Sequence, residues 1–193
     1  MTTAAQDYDA AVTALRTQHL PAYVEYTRTA SAHGIAGAND PPRRIVVDVR
    51  SKKIVSVTPQ SGDWSSDDSP ITQHLFDPSC YSATGERTTN WNGHDVIAIN
   101  VSAKKDSCDD LSVHTIFADA SSRTLLGADG SETDEGMTVD FSVQYVSAGG
   151  YIIPSALSAH AHGHGWLFWA RERAEVRYSN YNFTNERRQA SSP

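Results

Sequence analysis

The period of the apolar pattern changes once along this chain, and that change limits the folds open to it. Near the start, Tyr8, Val12, Leu15 and His19 recur at helical spacing, and Leu20 and Val24 extend the stripe. After Pro42 the spacing becomes two. In GHDVIAINVSAKK, Val96, Ala98 and Asn100 oppose Ile97, Ile99 and Val101. A chain that opens on one amphipathic helical segment and then only alternates must bury the helical stripe on a sheet.

The helical segment is expected over residues 5–30. Pro21 interrupts it, because proline inside a helix costs about 3 kcal/mol. The pattern therefore predicts a helix from Gln6 to His19 and a short second one from Ala22 to Thr29. The sheet is expected over 43–184. RRIVVDVR and KIVSVTP make a hairpin about Ser51-Lys52, and ITQHLF is a short strand or turn. DPSCYSATGERTTN is irregular. DLSVHTIFAD places Leu111, Val113, Thr115 and Phe117 on one face, and TLLGADG follows a turn. MTVDFSVQYVSAGGYIIPSAL is two strands about Gly149-Gly150, and WLFWARERAEVRYSNYNF is the last. Eight or nine strands at short spacing give an antiparallel meander in a single α+β domain, 1–185. Residues 186–193 form a polar, disordered tail.

Charge and composition remove several functions. A net charge of −7 argues against nucleic-acid binding, which needs a basic face. No run of about 18 apolar residues exists, so the chain does not span a membrane with a helix. The opening MTTAAQDYDAAV lacks the charged and apolar regions of a leader. Cys80 and Cys108 both sit in polar loop sequence, which fits a disulfide in an oxidising compartment. Together these suggest a mature periplasmic or secreted protein whose leader has been removed.

The order of elements resembles the periplasmic lipoprotein-carrier, or LolA-like, superfamily. The matching features are the opening helix, the hairpin RRIVVDVRSKKIVSV, the paired strands GHDVIAINVS and LSVHTIFAD, the TIFADASSRTLLGADG passage and the closing VRYSNYNF. The resemblance covers residues 5–184. It implies an N-terminal helical lid over a strongly curved, incomplete antiparallel barrel, with an apolar cavity between them. No cargo-handling residue of the family maps onto a position here.

The residues themselves offer two kinds of site. Apolar side chains expected to line a cavity are Leu15, Tyr23, Val47, Ile99, Phe117, Phe141, Trp166 and Phe168. Such a cavity would take a lipid or an acylated protein, at about 0.8 kcal/mol per buried methylene. The second kind is the run SAHAHGHGWLFW, with His160, His162 and His164 two apart. On a straight strand all three share a face, but His160 and His164 would lie about 13 Å apart. Any mononuclear zinc or copper site therefore uses two of them and a ligand from elsewhere. His114 is one candidate. Gly163 and Gly165 favour a different geometry, a hairpin tip at His162–Gly165 with exposed imidazoles. The acids Asp67-Asp68, Asp109-Asp110 and Glu132–Glu135 read as solvated turn charge.

No nucleophile elbow, phosphate loop, HExxH or Rossmann pattern is present. The reading is a non-catalytic carrier without a cofactor, with an envelope protein as its partner. The alternatives are a metal-dependent enzyme built on the histidine run, and a protein-interaction module docking through a sheet edge or the aromatic strip.

Overall fold

The computed structural model describes residues 3–33, 39–59, 69, 77–104, 112–134, 136–165 and 168–186. It opens with α1 (Ala4–Thr17), followed by β1 (Tyr23–His33), β2 (Asn39–Asp48), β3 (Lys53–Thr58), β4 (Tyr81–Trp91) and β5 (His94–Ala103). Then come β6 (Val113–Asp119), β7 (Leu125–Asp134), β8 (Met137–Ala148), β9 (Tyr151–Gly165) and β10 (Phe168–Thr184). The ten strands form one sheet in the order β3-β2-β1-β10-β9-β8-β7-β6-β5-β4, and every paired neighbour is antiparallel. The sheet does not close: β3 and β4 are its edges. Among the described residues the molecule is thus mostly β, with one α-helix and a 3-10 turn at Pro78–Cys80.

A capping box starts α1. The Thr3 hydroxyl accepts from the Gln6 N–H, and the Gln6 side chain accepts from the Thr3 N–H. Of the predicted stripe, Tyr8 and Val12 are buried and pack with Ala11 on Ile97, Ile99, Ile116, Leu125, Phe141 and Val143, with Leu15 beside them, whereas His19 is exposed past the end of the helix. These strand residues define a helix face of the sheet; their neighbours in sequence point to an open face.

Several expectations are corrected. The second helix, Ala22–Thr29, is strand β1, so helix occupies 4–17 rather than 5–30 and the sheet begins at Tyr23. Val24 and Tyr26 are fully buried while Glu25 between them is not. That is period two, and β-branched and aromatic residues favour it. The stretch read as irregular holds β4, joined to β5 by Asn92-Gly93, both at positive φ, the two-residue hairpin turn that Asn-Gly favours. Glu132, Thr133 and Asp134 belong to a ladder with β8 rather than to a loop. A register shift between Val113 and Thr115 puts Val113 and Ile116 on the helix face and Phe117 on the open face. ITQHLF, Leu111, Asp67-Asp68, Asp109-Asp110 and residues 187–193 lie outside the described residues.

Two of the predicted turns are as expected. β2 and β3 pair across Ser51-Lys52, and β8 meets β9 at Gly149-Gly150, with φ of 58° and 85°.

Candidate functional site

The helix is fastened to the sheet at three points. The Tyr8 hydroxyl and Arg16 Nη2 both donate to the Pro78 carbonyl, at 2.6 and 3.1 Å. Burial raises the Tyr8 phenol to about 12, so it stays a donor. Asp7, buried at 2 % exposure, accepts from Arg123 Nε at 2.9 Å. The Gln18 amide brackets Ile152, donating to its carbonyl and accepting from its N–H, both at 2.9 Å.

The helix face carries two apolar clusters. Beneath α1 lies the packed group already named. Beyond it, Val24, Tyr26, Ile45, Val47 and Tyr178 form a second. The Tyr26 hydroxyl donates to Ser69, itself fully buried. Leu157 touches both clusters. From there the helix face continues along β9, β10 and β1 with four alanines and Glu172, and His33 and Arg173 stand at the hollow's rim. Ala159 faces Ala174, and Ala174 faces Ala32; Ala161 faces Glu172. These residues line a shallow hollow of about 130 Å³.

The eight predicted lining residues do not share one wall. Leu15, Ile99 and Phe141 meet under the helix, whereas Val47 belongs to the second cluster. Tyr23 begins β1 and is half-buried. Phe117 is on the open face, stacked on Trp91 at 4.5 Å. Trp166 and the side chain of Phe168 lie outside the described residues.

The open face is polar over β7 to β10, and it holds a groove of about 540 Å³. His114, Asp129, Asp140, His160, Arg173 and Glu175 are among its walls. His114 Nε2 is 2.8 Å from Ser131 Oγ. Burial raises the Asp129 carboxyl, against hydrogen bonds from Ser142 and Trp91 that lower it. The register explains the gathering: Ser131 faces Asp140, Asp140 faces His160, and His160 faces Arg173.

The histidine run is therefore strand rather than hairpin tip. β9 reaches Gly165, which pairs with Phe168 of β10. His160 and His162 share a face, with ring centroids 5.5 Å apart, as strand alternation requires. Asp140 of β8 joins them: His162 Nδ1 is 3.5 Å from its Oδ2, and one ligand atom from each of the three lies within 4.8 Å of the others. The sequence reading missed Asp140. The side chain of His164 lies outside the described residues.

Cys80 is buried and is not a free thiol; Cys108 lies outside the described residues.

No protein-family model matches the chain, and no curated protein matches it. Solved structures do, along almost the whole length. A putative outer membrane lipoprotein-sorting protein domain from Vibrio parahaemolyticus is 12% identical, covers 98% of this chain and 95% of its own, and superposes with a TM-score of 0.52. The chain shares the fold of this domain. A DUF1329 family protein from Desulfovibrio piger is similar to the same degree: 14% identity, 94% of each chain, TM-score 0.52. Within the sheet the helix touches chiefly β4, β5, β6 and β9. The small-residue stretch of β1, β9 and β10 extends past it.

Proposed function

We propose that the protein is a non-catalytic carrier that takes a lipid-like or lipoprotein cargo on the helix face of its sheet. One observation carries this reading. Ala32, Ala159, Ala161 and Ala174 leave an apolar floor beside the second cluster, edged by His33, Glu172 and Arg173, in a fold shared with a lipoprotein-sorting domain. Small side chains there create depth without closing it. A cargo chain laid on them gains about 0.8 kcal/mol per buried methylene and needs no reactive group. The hollow is small beside the usual 300–1,000 Å³ of an enclosing site, so the cargo is held along one side and an envelope partner covers the other.

Carriage of this kind belongs outside the cytoplasm, in the periplasm or beyond it. No described helix is long and apolar enough to cross a membrane. A Cys80–Cys108 disulfide fits that compartment. The Lys104 N–H donates to the Cys80 carbonyl at 2.8 Å, so the chain passes Cys80 four residues before reaching Cys108.

The test is saturable binding of a fluorescent fatty acid, displaced by palmitate, against Ala32→Arg and Ala159→Phe. Both substitutions fill the hollow and are expected to weaken binding about tenfold or more, by removing about two methylenes' worth of contact. Absence of saturable binding, or binding indifferent to both substitutions, overturns the proposal.

A further inference from the structure

We propose that Asp140, His160 and His162 form a binding site for one divalent transition-metal ion, zinc or copper, on the open face of the sheet. The three donor side chains are on the face away from the carrier hollow, whose lining shares Ala159 and Arg173 with the polar groove but none of the donors.

Three observations lead there. The donor set is two imidazoles and one carboxylate, from adjacent strands locked in register by the Asp140–His160 pair. Imidazole suits zinc and copper, and three protein ligands leave a coordination position for water or another ligand. The spacing is close to what ligation needs. Tetrahedral bonds of about 2.1 Å place ligand atoms about 3.4 Å apart; the Asp140–His162 separation is already 3.5 Å. Drawing His160 in from within 4.8 Å takes a side-chain rotation and no movement of the ladder.

The third observation is an unmet need. His162 Nδ1 is buried and has no hydrogen-bond partner among the described residues. The contact with Asp140 does not account for this. Both side chains are about half exposed, at 45% and 54%, and such a pair contributes little. An imidazole nitrogen shut off from water without a hydrogen-bond partner is destabilising. A cation between His162 and the Asp140 carboxylate satisfies both groups. Asp140 and His160 line the polar groove, so an open coordination position faces it. Arg173, opposite His160 on β10, adds a positive charge at the edge, which suits an anionic exogenous ligand.

The experiment is calorimetric titration of the untagged chain with zinc chloride, repeated with copper(II). The expected result is one ion per chain. Asp140→Asn and His162→Ala are each expected to weaken affinity about 100-fold or more, whereas His19→Ala and His94→Ala leave it unchanged. Asp140→Asn keeps the side-chain shape, and thermal melting verifies that each variant is folded. Fatty-acid probe binding by Asp140→Asn is expected to be unchanged, which separates this site from the carrier hollow. Failure to saturate with either ion, or binding that survives both site variants, is an adventitious ion only and overturns the proposal.

Discussion

Around Asp7, charge is placed where a helix meets a turn. Asp119 organises that turn. Its Oδ1 accepts from the N–H groups and hydroxyls of Ser121 and Ser122, bonds that hold its carboxyl well below the usual carboxylate range. Arg123 follows at φ 60° and donates to Asp7 and to the Ala120 carbonyl. The Glu86 carboxyl on β4 also reaches this pair. Dehydration, a hydrogen bond to Asp7 and the Asp7 charge raise its pKa, against the opposing pull of Arg123. The sign follows from linkage. As pH rises, the unfolded chain releases the Glu86 proton first, near its ordinary value of about 4.3. Above that pH the folded state is penalised, and the penalty becomes constant once pH passes the raised folded value. Glu86→Gln donates an amide N–H to Asp7 at every pH. It should therefore raise the melting temperature at pH 7, and the gain should vanish near pH 4. Equal gains at both pH values would show that Asp7 and Glu86 do not share a proton.

The helix is a fastened element, and its C-terminal clamp can be tested alone. Gln18→Ala leaves the Ile152 N–H and carbonyl, both part-buried, without their partner. The expected loss is about 1–2 kcal/mol, read from the denaturant midpoint, with faster amide exchange confined to α1. The buried stripe of α1 and its stop before Pro21 were legible because period and proline act locally. β1 was not. Leu20 to Val24 is a helical interval of four, but four is also two strand repeats, and only the burial of Tyr26 with Val24 separates the periods. β4 had a local signal in Asn92-Gly93 that went unread. The candidate metal site was half legible. Alternation brings His160 beside His162 in any strand, but Asp140 comes from register. The Gly149-Gly150 turn pairs Tyr145 with Pro154; extended unchanged, that ladder would set Asp140 against Ala159. A shift between Gln144 and Tyr145 leaves Ser155 as the extra residue and sets Asp140 against His160 instead. Such a bulge re-aims every side chain beyond it. Here the Tyr181 hydroxyl, donating to the Pro154 carbonyl at 2.7 Å, pins it from a strand 27 residues away.

Seen as a whole, the molecule is a sheet with two ends, and an unclosed sheet must restrain its edge strands. β3 is tied through Arg43, whose Nη1 donates to the Pro59 carbonyl and whose Nη2 donates to Asp40. β4, at the other edge, has β5 on one side only and carries the Pro78 anchor of α1 just before it. Release of that edge would loosen helix and sheet together. The proposed Cys80–Cys108 bridge acts at this place, since it fastens the start of β4 to the chain leaving β5. Closing a loop of about 30 residues removes unfolded-state freedom worth about 3–4 kcal/mol. Thiol titration of the unreduced chain in denaturant should therefore find no free sulfhydryl. The Cys80→Ala/Cys108→Ala chain should lose about 3–4 kcal/mol in chemical denaturation, with amide protection falling first along β4 and α1. Two titratable thiols per chain in the unreduced protein would refute the bridge, and with it this argument for an oxidising compartment.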